Sequence, residues 1–506
     1  MKLVFDHVLD NKSALWNISN MERVVTRRQV LSSLLWKLME RGGTQGIAFV
    51  VSIVLARLLT VEEYGSVAII GIFIALANVF VQTGFNTALI QKKNVDNRDF
   101  STIFYVSLVI AVLLYALLYF ASPLIADFFR QPILDPALRV LSIVLFFGAI
   151  NSVQVAVVSR QMLFKRLFFS TIGGTIVSGI VGISMAYLGF GVWALVAQQI
   201  SNHLTVTIIM WFTISWRPQF VFSLVKLKSL FSYGWKILVA SLIDTLYLDL
   251  RSILIGRFYS PEMVGFYNRG KQFPTLIVNN IDGAIQSVML PTYSSYQDDL
   301  KRVKSIVRRS VVTSSFVIFP IMTLLVFVAE PVVELVLTKK WLPSVRIMQI
   351  YCAVYAIRPI LTANIQAIKG LGYSGLFLRR QIVDKTVGIS IMLTSILFGI
   401  EVIAWGVLVS SLVSVLVYVS PSKRILDYSL SNQLKDMSPA FILSLISGTL
   451  VYSTGLLPFS LGAKLFLQII VGILSYALLS RLFRIESFTY LMGLAREGKN
   501  HARKRR

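Results

Sequence analysis

The 506-residue chain is poor in charge. Asp, Glu, Lys and Arg make up 14% of it, against about 25% in soluble domains. Hydrophobic residues supply 56% and the mean hydropathy is +0.72, so most of the chain avoids water. Cysteine is nearly absent: the single Cys352 excludes an intramolecular disulfide and any multi-Cys metal site. The three histidines, His7, His203 and His501, are far apart, which argues against a histidine metal cluster. Acidic residues are scarce, 24 against 49 Lys and Arg, giving a net charge of +25. In a soluble protein that excess would suggest nucleic acid. In a chain this apolar it fits loops facing an anionic cytoplasmic leaflet, and no nucleic-acid partner is expected. The first thirty residues lack the continuous apolar core of a signal peptide and read as a cytoplasmic extension. No G-x-x-x-x-G-K-[ST] run occurs, so ATP is not the expected driver. Gly370-Leu-Gly372-Tyr-Ser-Gly375 matches G-x-G-x-x-G but follows an apolar segment instead of a strand, and so fails as a dinucleotide site. There is no nucleophile–base arrangement. No enzyme activity, metal or cofactor is expected.

What the chain does have is long apolar runs. A membrane-spanning helix needs about 20 such residues, and fourteen segments qualify, near 31–59, 64–90, 101–126, 137–159, 168–188, 191–215, 231–257, 264–291, 307–330, 341–368, 376–398, 401–422, 438–457 and 462–483. The expected fold is therefore an all-α polytopic membrane protein. Alternate loops are rich in Lys and Arg, for example Lys92, Lys93 and Arg98, or Lys301, Arg302, Lys304, Arg308 and Arg309. The positive-inside rule puts that side in the cytoplasm, with both termini. The loops on the other side are too short to form a domain.

An internal repeat is legible. Arg57-Leu-Leu-Thr60-Val-Glu62-Glu-Tyr-Gly65 recurs 200 residues later as Arg257-Phe-Tyr-Ser260-Pro-Glu262-Met-Val-Gly265. Leu138-Arg139-Val-Leu-Ser-Ile and Val345-Arg346-Ile-Met-Gln-Ile form a second matching pair. The expected organisation is a cytoplasmic extension at 1–30, a six-helix repeat at 31–216, a linker at 217–230 and a second repeat at 231–425. Two further helices follow at 437–483, then a basic tail at 484–506. Six is even, so the two repeats share one orientation, related by an axis along the membrane normal. That is a recurrent transporter architecture suited to alternating access.

Polar residues inside such segments mark pathways or partners. The second segment carries Asn78, Gln82 and Asn86 on one face, and the eighth carries Thr275, Asn279, Asp282 and Gln286. Under the 200-residue offset Gln82 matches Asp282 and Asn86 matches Gln286. The alternative is interhelical hydrogen bonding that only holds the bundle together. Asp244, Asp249 and Arg251 lie in the seventh segment, Arg269 and Lys271 in the eighth and Arg358 in the tenth. In the first, Lys37, Glu40 and Arg41 lie nearer the cytoplasm. Cations outnumber carboxylates in the second repeat, which suits an anionic head group such as a diphosphate. Buried ion pairs are the competing explanation.

Several runs then carry a family resemblance: Ala56-Arg-Leu-Leu-Thr-Val-Glu-Glu-Tyr-Gly65, Gly84-Phe-Asn-Thr-Ala-Leu-Ile-Gln91, Gly265-Phe-Tyr-Asn268, Leu290-Pro291-Thr-Tyr-Ser, Lys340-Trp-Leu-Pro-Ser344 and Lys369-Gly-Leu-Gly-Tyr-Ser374. In this order they resemble Wzx-type polysaccharide exporters, above all the colanic-acid and teichuronic-acid exporters of the multidrug/oligosaccharidyl-lipid/polysaccharide superfamily. The resemblance runs from about residue 30 to 485. It implies a flippase of undecaprenyl-diphosphate-linked oligosaccharide in the bacterial inner membrane. A proton or sodium gradient is then a candidate driver. Membrane lipids, a polysaccharide polymerase and glycosyltransferases are candidate partners. The family has no invariant catalytic site to carry over. The alternatives are an ion-coupled multidrug antiporter of the same superfamily, against which the two additional helices stand, and a membrane enzyme of polysaccharide assembly, which would need a large outer loop. Reporter fusions after Asn97 and Asp298 are expected to read as cytoplasmic, and fusions near Pro261 and Leu342 as external. The inverse pattern would reverse the direction of export.

Overall fold

In a computed structural model, residues 27–92 and 95–493 are described. The expected N-terminal extension and most of the basic tail lie outside them. The described residues form helices and connecting turns, without strands. The helices are α1 (Arg27–Leu58), α2 (Val61–Asn78), α3 (Gly84–Gln91), α4 (Asn97–Phe129), α5 (Leu134–Leu141), α6 (Val144–Gln161), α7 (Phe164–Tyr187), α8 (Val192–Thr213) and α9 (Leu224–Phe258). They continue with α10 (Pro261–Ser295), α11 (Leu300–Phe327), α12 (Ala329–Val336), α13 (Ser344–Ala356), α14 (Arg358–Gly370), α15 (Ser374–Ser395), α16 (Ile400–Leu426), α17 (Leu430–Gly455) and α18 (Leu461–Leu482). All fourteen expected segments are helical. Among the described residues, nine helices are long and apolar enough to cross a membrane on length and composition. Helices α1, α8, α9 and α10, and the α13–α14 pair, fall outside those nine because polar residues dilute them. These are the helices that carry most of the expected site.

The surface confirms the solvent. Phe120, Leu124 and Phe212 are 77%, 72% and 82% exposed, while Ser101, Ser107, Gln154 and Ser315 are fully buried. That reverses the arrangement of a water-soluble protein and matches a chain that must satisfy its polar groups internally.

Three segments are not simple rods. A π-helical turn, Val79–Thr83, joins α2 to α3. The fourth segment breaks between α5 and α6, and the tenth at Ile357, where Pro359 lacks the amide hydrogen an uninterrupted helix would use.

The chain divides into two compact units, Met1–Gly265 and Phe266–Arg506. In the first, α7 packs along α1 and α8, and α9 packs on α2, α3 and α4. Helix α9 opens the second repeat in sequence but sits with the first unit in space. Its N-terminal end is clamped there: Ser223 N donates to Thr102 Oγ1 at 3.2 Å, and Lys226 Nζ pairs with Asp96 at 3.0 Å and Asp99 at 3.5 Å. Lys92 pairs with the same buried Asp99 at 2.7 Å. The hydrogen bond that Lys226 donates to Asp96 holds its ammonium above its ordinary pKa. Burial pushes the Asp96 carboxyl up, but the Asp99 amide and Lys226 outweigh it and hold it low. The clamp is therefore complete at neutral pH and loses the Asp96 contribution as pH falls through that depressed value. In the second unit, α17 and α18 are integral: α17 packs along α11, and Arg308 of α11 reaches Asp436 at 3.1 Å and Glu486 at 3.0 Å.

The repeat motif becomes a matched pair of helix starts. Thr60 Oγ1 accepts from Glu63 N at 3.2 Å while Glu63 accepts from Thr60 N at 2.7 Å, a capping box for α2. Ser260 caps α10 in the same way, accepting from Met263 N at 3.2 Å. The two starts also touch reciprocally. A Cβ on Gly65 would fall well inside the Pro261 carbonyl oxygen, and one on Gly265 would lie 2.6 Å from the Val61 carbonyl oxygen. Only glycine permits this approach, since backbone on both sides cannot yield. Gly65→Ala and Gly265→Ala are expected to lower the thermal midpoint of the purified protein, by the about 1–3 kcal/mol typical of overpacking. Gly71→Ala, where nothing lies within 4 Å of the added carbon, should not. Equal midpoints for all three would show that the contact is not tight.

Candidate functional site

In the second unit the polar face of α10 is zipped to α13 and α14. The Tyr267 and Tyr351 hydroxyls share a hydrogen bond at 2.5 Å, and Thr275 Oγ1 meets the Tyr355 hydroxyl at 2.9 Å. Further along, Arg358 Nε donates to Asp282 Oδ2 at 3.3 Å. Gln286 Nε2 donates to the same oxygen at 2.9 Å, and Gln366 Nε2 donates to Gln286 Oε1 at 2.9 Å. Asp282 is 4% exposed, and the Arg358 side chain is 44% exposed. The carboxylate thus fixes the guanidinium through Nε, and its terminal nitrogens make no hydrogen bond among the described residues. Arg269, 6% exposed, donates to Gln272 Oε1 at 2.7 Å and lies 5.4 Å from the Trp341 ring centre. Lys271 lies 5.4 Å from the Tyr267 ring centre. Stacking of this kind helps hold a cation in place.

In the first unit, Gln82 Nε2 donates to Asn78 Oδ1 at 2.9 Å. Both lie against Gly148 of α6, where a Cβ would stand 2.8 Å from Gln82 Nε2. The Oδ1 of Asn86 is buried without a partner. By hydrogen-bonded pairing, Gln82 corresponds to Gln286 and Asn78 to Asp282, one helical turn away from the correspondence given by the 200-residue offset. The π turn falls within this stretch. Arg251 lies 5.4 Å from the Tyr247 ring centre, Asp249 is half-buried, and Asp244, Asn279 and Arg41 are exposed. The structure therefore brings Asp282, Gln286 and Arg358 into one network and Asn78 and Gln82 into another. Asn279, expected on the same face as Asp282, is exposed.

Two cavities were not anticipated. One, of about 300 Å³, lies in the first unit between α1, α7 and α8 and is lined by neutral polar groups, among them Thr44, Ser178, Gln198, Gln199, Asn202 and His203. Its signal was present in sequence: residues 198, 199, 202 and 203 repeat at i, i+1, i+4, i+5, one face of a helix. The other, of about 250 Å³, lies in the second unit between α11, α17 and α18. It is mainly apolar, with Phe316, Leu324, Ile473 and Tyr476 in its walls and Gly448 and Gly472 opening the space. Among the described residues no group of His, Cys, Asp and Glu could hold a metal ion.

Arg358→Gln and Asp282→Asn are each expected to lower the thermal midpoint. The double variant should lose less than the sum, with a coupling of about 0.5–3 kcal/mol. Strict additivity would show that the pair does not act as one unit.

Residues 54–346 match the model of a family described as "Polysaccharide biosynthesis protein". The teichuronic acid biosynthesis protein TuaB of Bacillus subtilis (strain 168) is 27% identical over 89% of this chain and 95% of its own. The lipopolysaccharide biosynthesis protein WzxC of Escherichia coli (strain K12) is 23% identical over 66% and 68%. The succinoglycan biosynthesis transport protein ExoT of Rhizobium meliloti (strain 1021) is 23% identical over 70% and 71%. Among solved structures, the lipid II flippase MurJ in an inward closed conformation superposes with a TM-score of 0.73 at 16% identity, covering 89% of this chain and 98% of that one. An inward-facing MATE-family multidrug transporter superposes with 0.58 at 15%, covering 77% and 96%.

Proposed function

The chain belongs to the polysaccharide biosynthesis protein family, and from that premise we propose that it is a flippase of lipid-linked oligosaccharide repeat units rather than an enzyme. Its place would be the bacterial inner membrane, with both termini in the cytoplasm, serving the assembly of O-antigen, capsule or exopolysaccharide. The observation that carries the reading is the network around Asp282. A family that handles polysaccharide precursors here takes the form of a membrane bundle that fixes an arginine fork and two stacked cations, Arg269 and Lys271, inside its second unit.

The chemistry follows from the barrier. A diphosphate cannot shed its water into hydrocarbon unaided, so the protein must supply replacement donors. Arg358 offers its free terminal nitrogens, and Arg269, Lys271, Arg251 and Arg41 supply further positive charge. Asp282, Gln286, Asn78 and Gln82 act in this reading as positioning residues, because their own hydrogen bonds are made within their units. Asn86, Asp244, Asp249 and Asn279 are the remaining candidates for polar contact with the glycan. The mainly apolar cavity between α11, α17 and α18 suits part of a prenyl tail. A proton or sodium gradient is the proposed drive, because the chain lacks an ATP-binding run. A polymerase and glycosyltransferases are the proposed partners in the membrane.

The test is charge substitution at matched membrane levels. Arg41→Ala, Arg251→Ala, Arg269→Ala and Arg358→Ala are each scored for surface polysaccharide and for lipid-linked repeat units accumulating on the inner leaflet. Arg358→Ala is expected to cut surface polysaccharide at least tenfold with accumulation inside, and Arg358→Lys to restore part of it. Normal export by all four would reduce the cations to structural roles and remove the diphosphate-binding reading.

A further inference from the structure

The cavity of the first unit has a chemistry unlike that of the cations. Its walls come from three helices. Helix α1 contributes Thr44 and Ala48, α7 contributes Thr171, Thr175 and Ser178, and α8 contributes Gln198, Gln199, Asn202, His203 and Val206. No Asp, Glu, Lys or Arg lines it. A phosphate would find no cation there, and an organic cation no carboxylate. Apolar surface from Ala48, Val206 and the alkyl parts of the longer side chains lies between its polar groups.

Much of its hydrogen-bonding capacity is unused. The hydroxyls are partly occupied along their own helix, Thr171 Oγ1 donating to Leu167 O at 3.0 Å and Thr175 Oγ1 to Thr171 O at 2.8 Å. Asn202 reaches Ser178 Oγ at 3.3 Å. The side chains of Gln198, Gln199 and His203 make no hydrogen bond among the described residues. Small residues on α7 let α8 approach closely beside this half-open space: a Cβ on Gly182 would stand 2.9 Å from Gln198 Cβ. The polar surface also continues outside the cavity. Asn151 Nδ2 donates to Thr207 Oγ1 at 2.8 Å, one turn beyond His203, while the Oδ1 of Asn151 and both polar atoms of the fully buried Gln154 are unpartnered.

Neutral donors and acceptors arranged as pairs, in a space of about 300 Å³, suit a ligand with many neutral hydroxyl or acetamido groups. That volume is at the lower edge of small-molecule sites, about 300–1,000 Å³, and so fits a single sugar ring better than a chain. Arg41 shares a helix face with Thr44 and Ala48, being three and seven residues away. Along the axis it stands about 4.5 Å from Thr44. A phosphate near Arg41 would therefore leave the sugar attached to it within reach of the cavity. We propose that this cavity is a sugar subsite, holding one neutral ring of the lipid-linked glycan, with Gln198, Gln199, Asn202 and His203 as its recognising groups. The proposal rests on the flippase reading.

The test uses the purified full-length chain and two synthetic probes: a polyprenyl diphosphate bearing one N-acetylhexosamine, and the same polyprenyl diphosphate without sugar. The chain is expected to bind the sugar-bearing probe at least tenfold more tightly. Gln198→Leu and Asn202→Leu should each bring the two affinities within about threefold while leaving that of the bare diphosphate unchanged, which also shows that the variants fold. Equal affinities in the parent chain, or tenfold preference retained by both variants, would overturn the proposal and leave the flippase reading standing. Failure to bind either probe would remove both. A sodium titration separates the remaining occupant: a sodium-dependent rise in thermal midpoint that Asn202→Leu abolishes, without any sugar preference, would make the cavity a cation site and overturn the proposal.

Discussion

A polar group in hydrocarbon has no water to turn to, and this constraint governs every level of the molecule. Each unsatisfied backbone amide or carbonyl costs several kcal/mol there, so the chain is helical wherever it meets lipid. The same constraint reaches the side chains. Hydroxyls bond back to their own helix, as Ser315 does to Val311 O at 2.7 Å. Amides such as Gln154 and Gln433 are fully buried, while apolar residues such as Phe120 and Leu124 are exposed. Helix ends are capped as well, α2 by Thr60 and α10 by Ser260.

The two units handle their buried polar groups differently. In the second, a carboxylate, a guanidinium and two amides form a closed series from Arg358 to Gln366. A closed series of this kind is rigid, because removing one member strands another. In the first, the corresponding stretch is neutral, Asn78 and Gln82 against Gly148, and several amide atoms are left without partners. Unspent hydrogen-bonding capacity in a buried place is costly unless something uses it. That makes the neutral stretch of the first unit the better candidate for transient ligand contacts, and the ionic network around Asp282 the better one for a fixed electrostatic platform.

The sequence was read correctly where one physical signal decided the outcome. Hydropathy placed the fourteen helical segments, and the Thr60–Gly65 and Ser260–Gly265 runs became matched caps with a reciprocal contact. It was read less well where two signals competed. Helix α9 opens the second repeat by alignment, yet Lys226, Asp96 and Asp99 hold it against the first unit, and pairing across 130 residues leaves no local trace. Asn279 shares a face with Asp282 and is exposed, while Tyr267, Thr275 and Gln286 engage α13 and α14. The π turn at Val79–Thr83 shifts register in a way ideal helical spacing does not contain. The face formed by Gln198, Gln199, Asn202 and His203 was legible as a stripe but passed over, because it carries no charge. A search for intramembrane function weighted toward ionisable residues misses neutral amides.

That omission bears on how such a substrate is recognised. A lipid-linked glycan presents three chemistries in series: an apolar chain, an anion and a neutral polyol. Charge can hold the anion, but it cannot tell one glycan from another, since the diphosphate is common to all of them. Discrimination between sugars has to come from directional hydrogen bonds, where a missing partner leaves a buried donor or acceptor unpaired at about 1–3 kcal/mol. Placing those bonds in a neutral cavity separates the two tasks. Cations there would attract phosphate into the position meant for sugar and erase the selectivity. On this view the absence of charge from the walls between α1, α7 and α8 is as informative as its presence at Arg358.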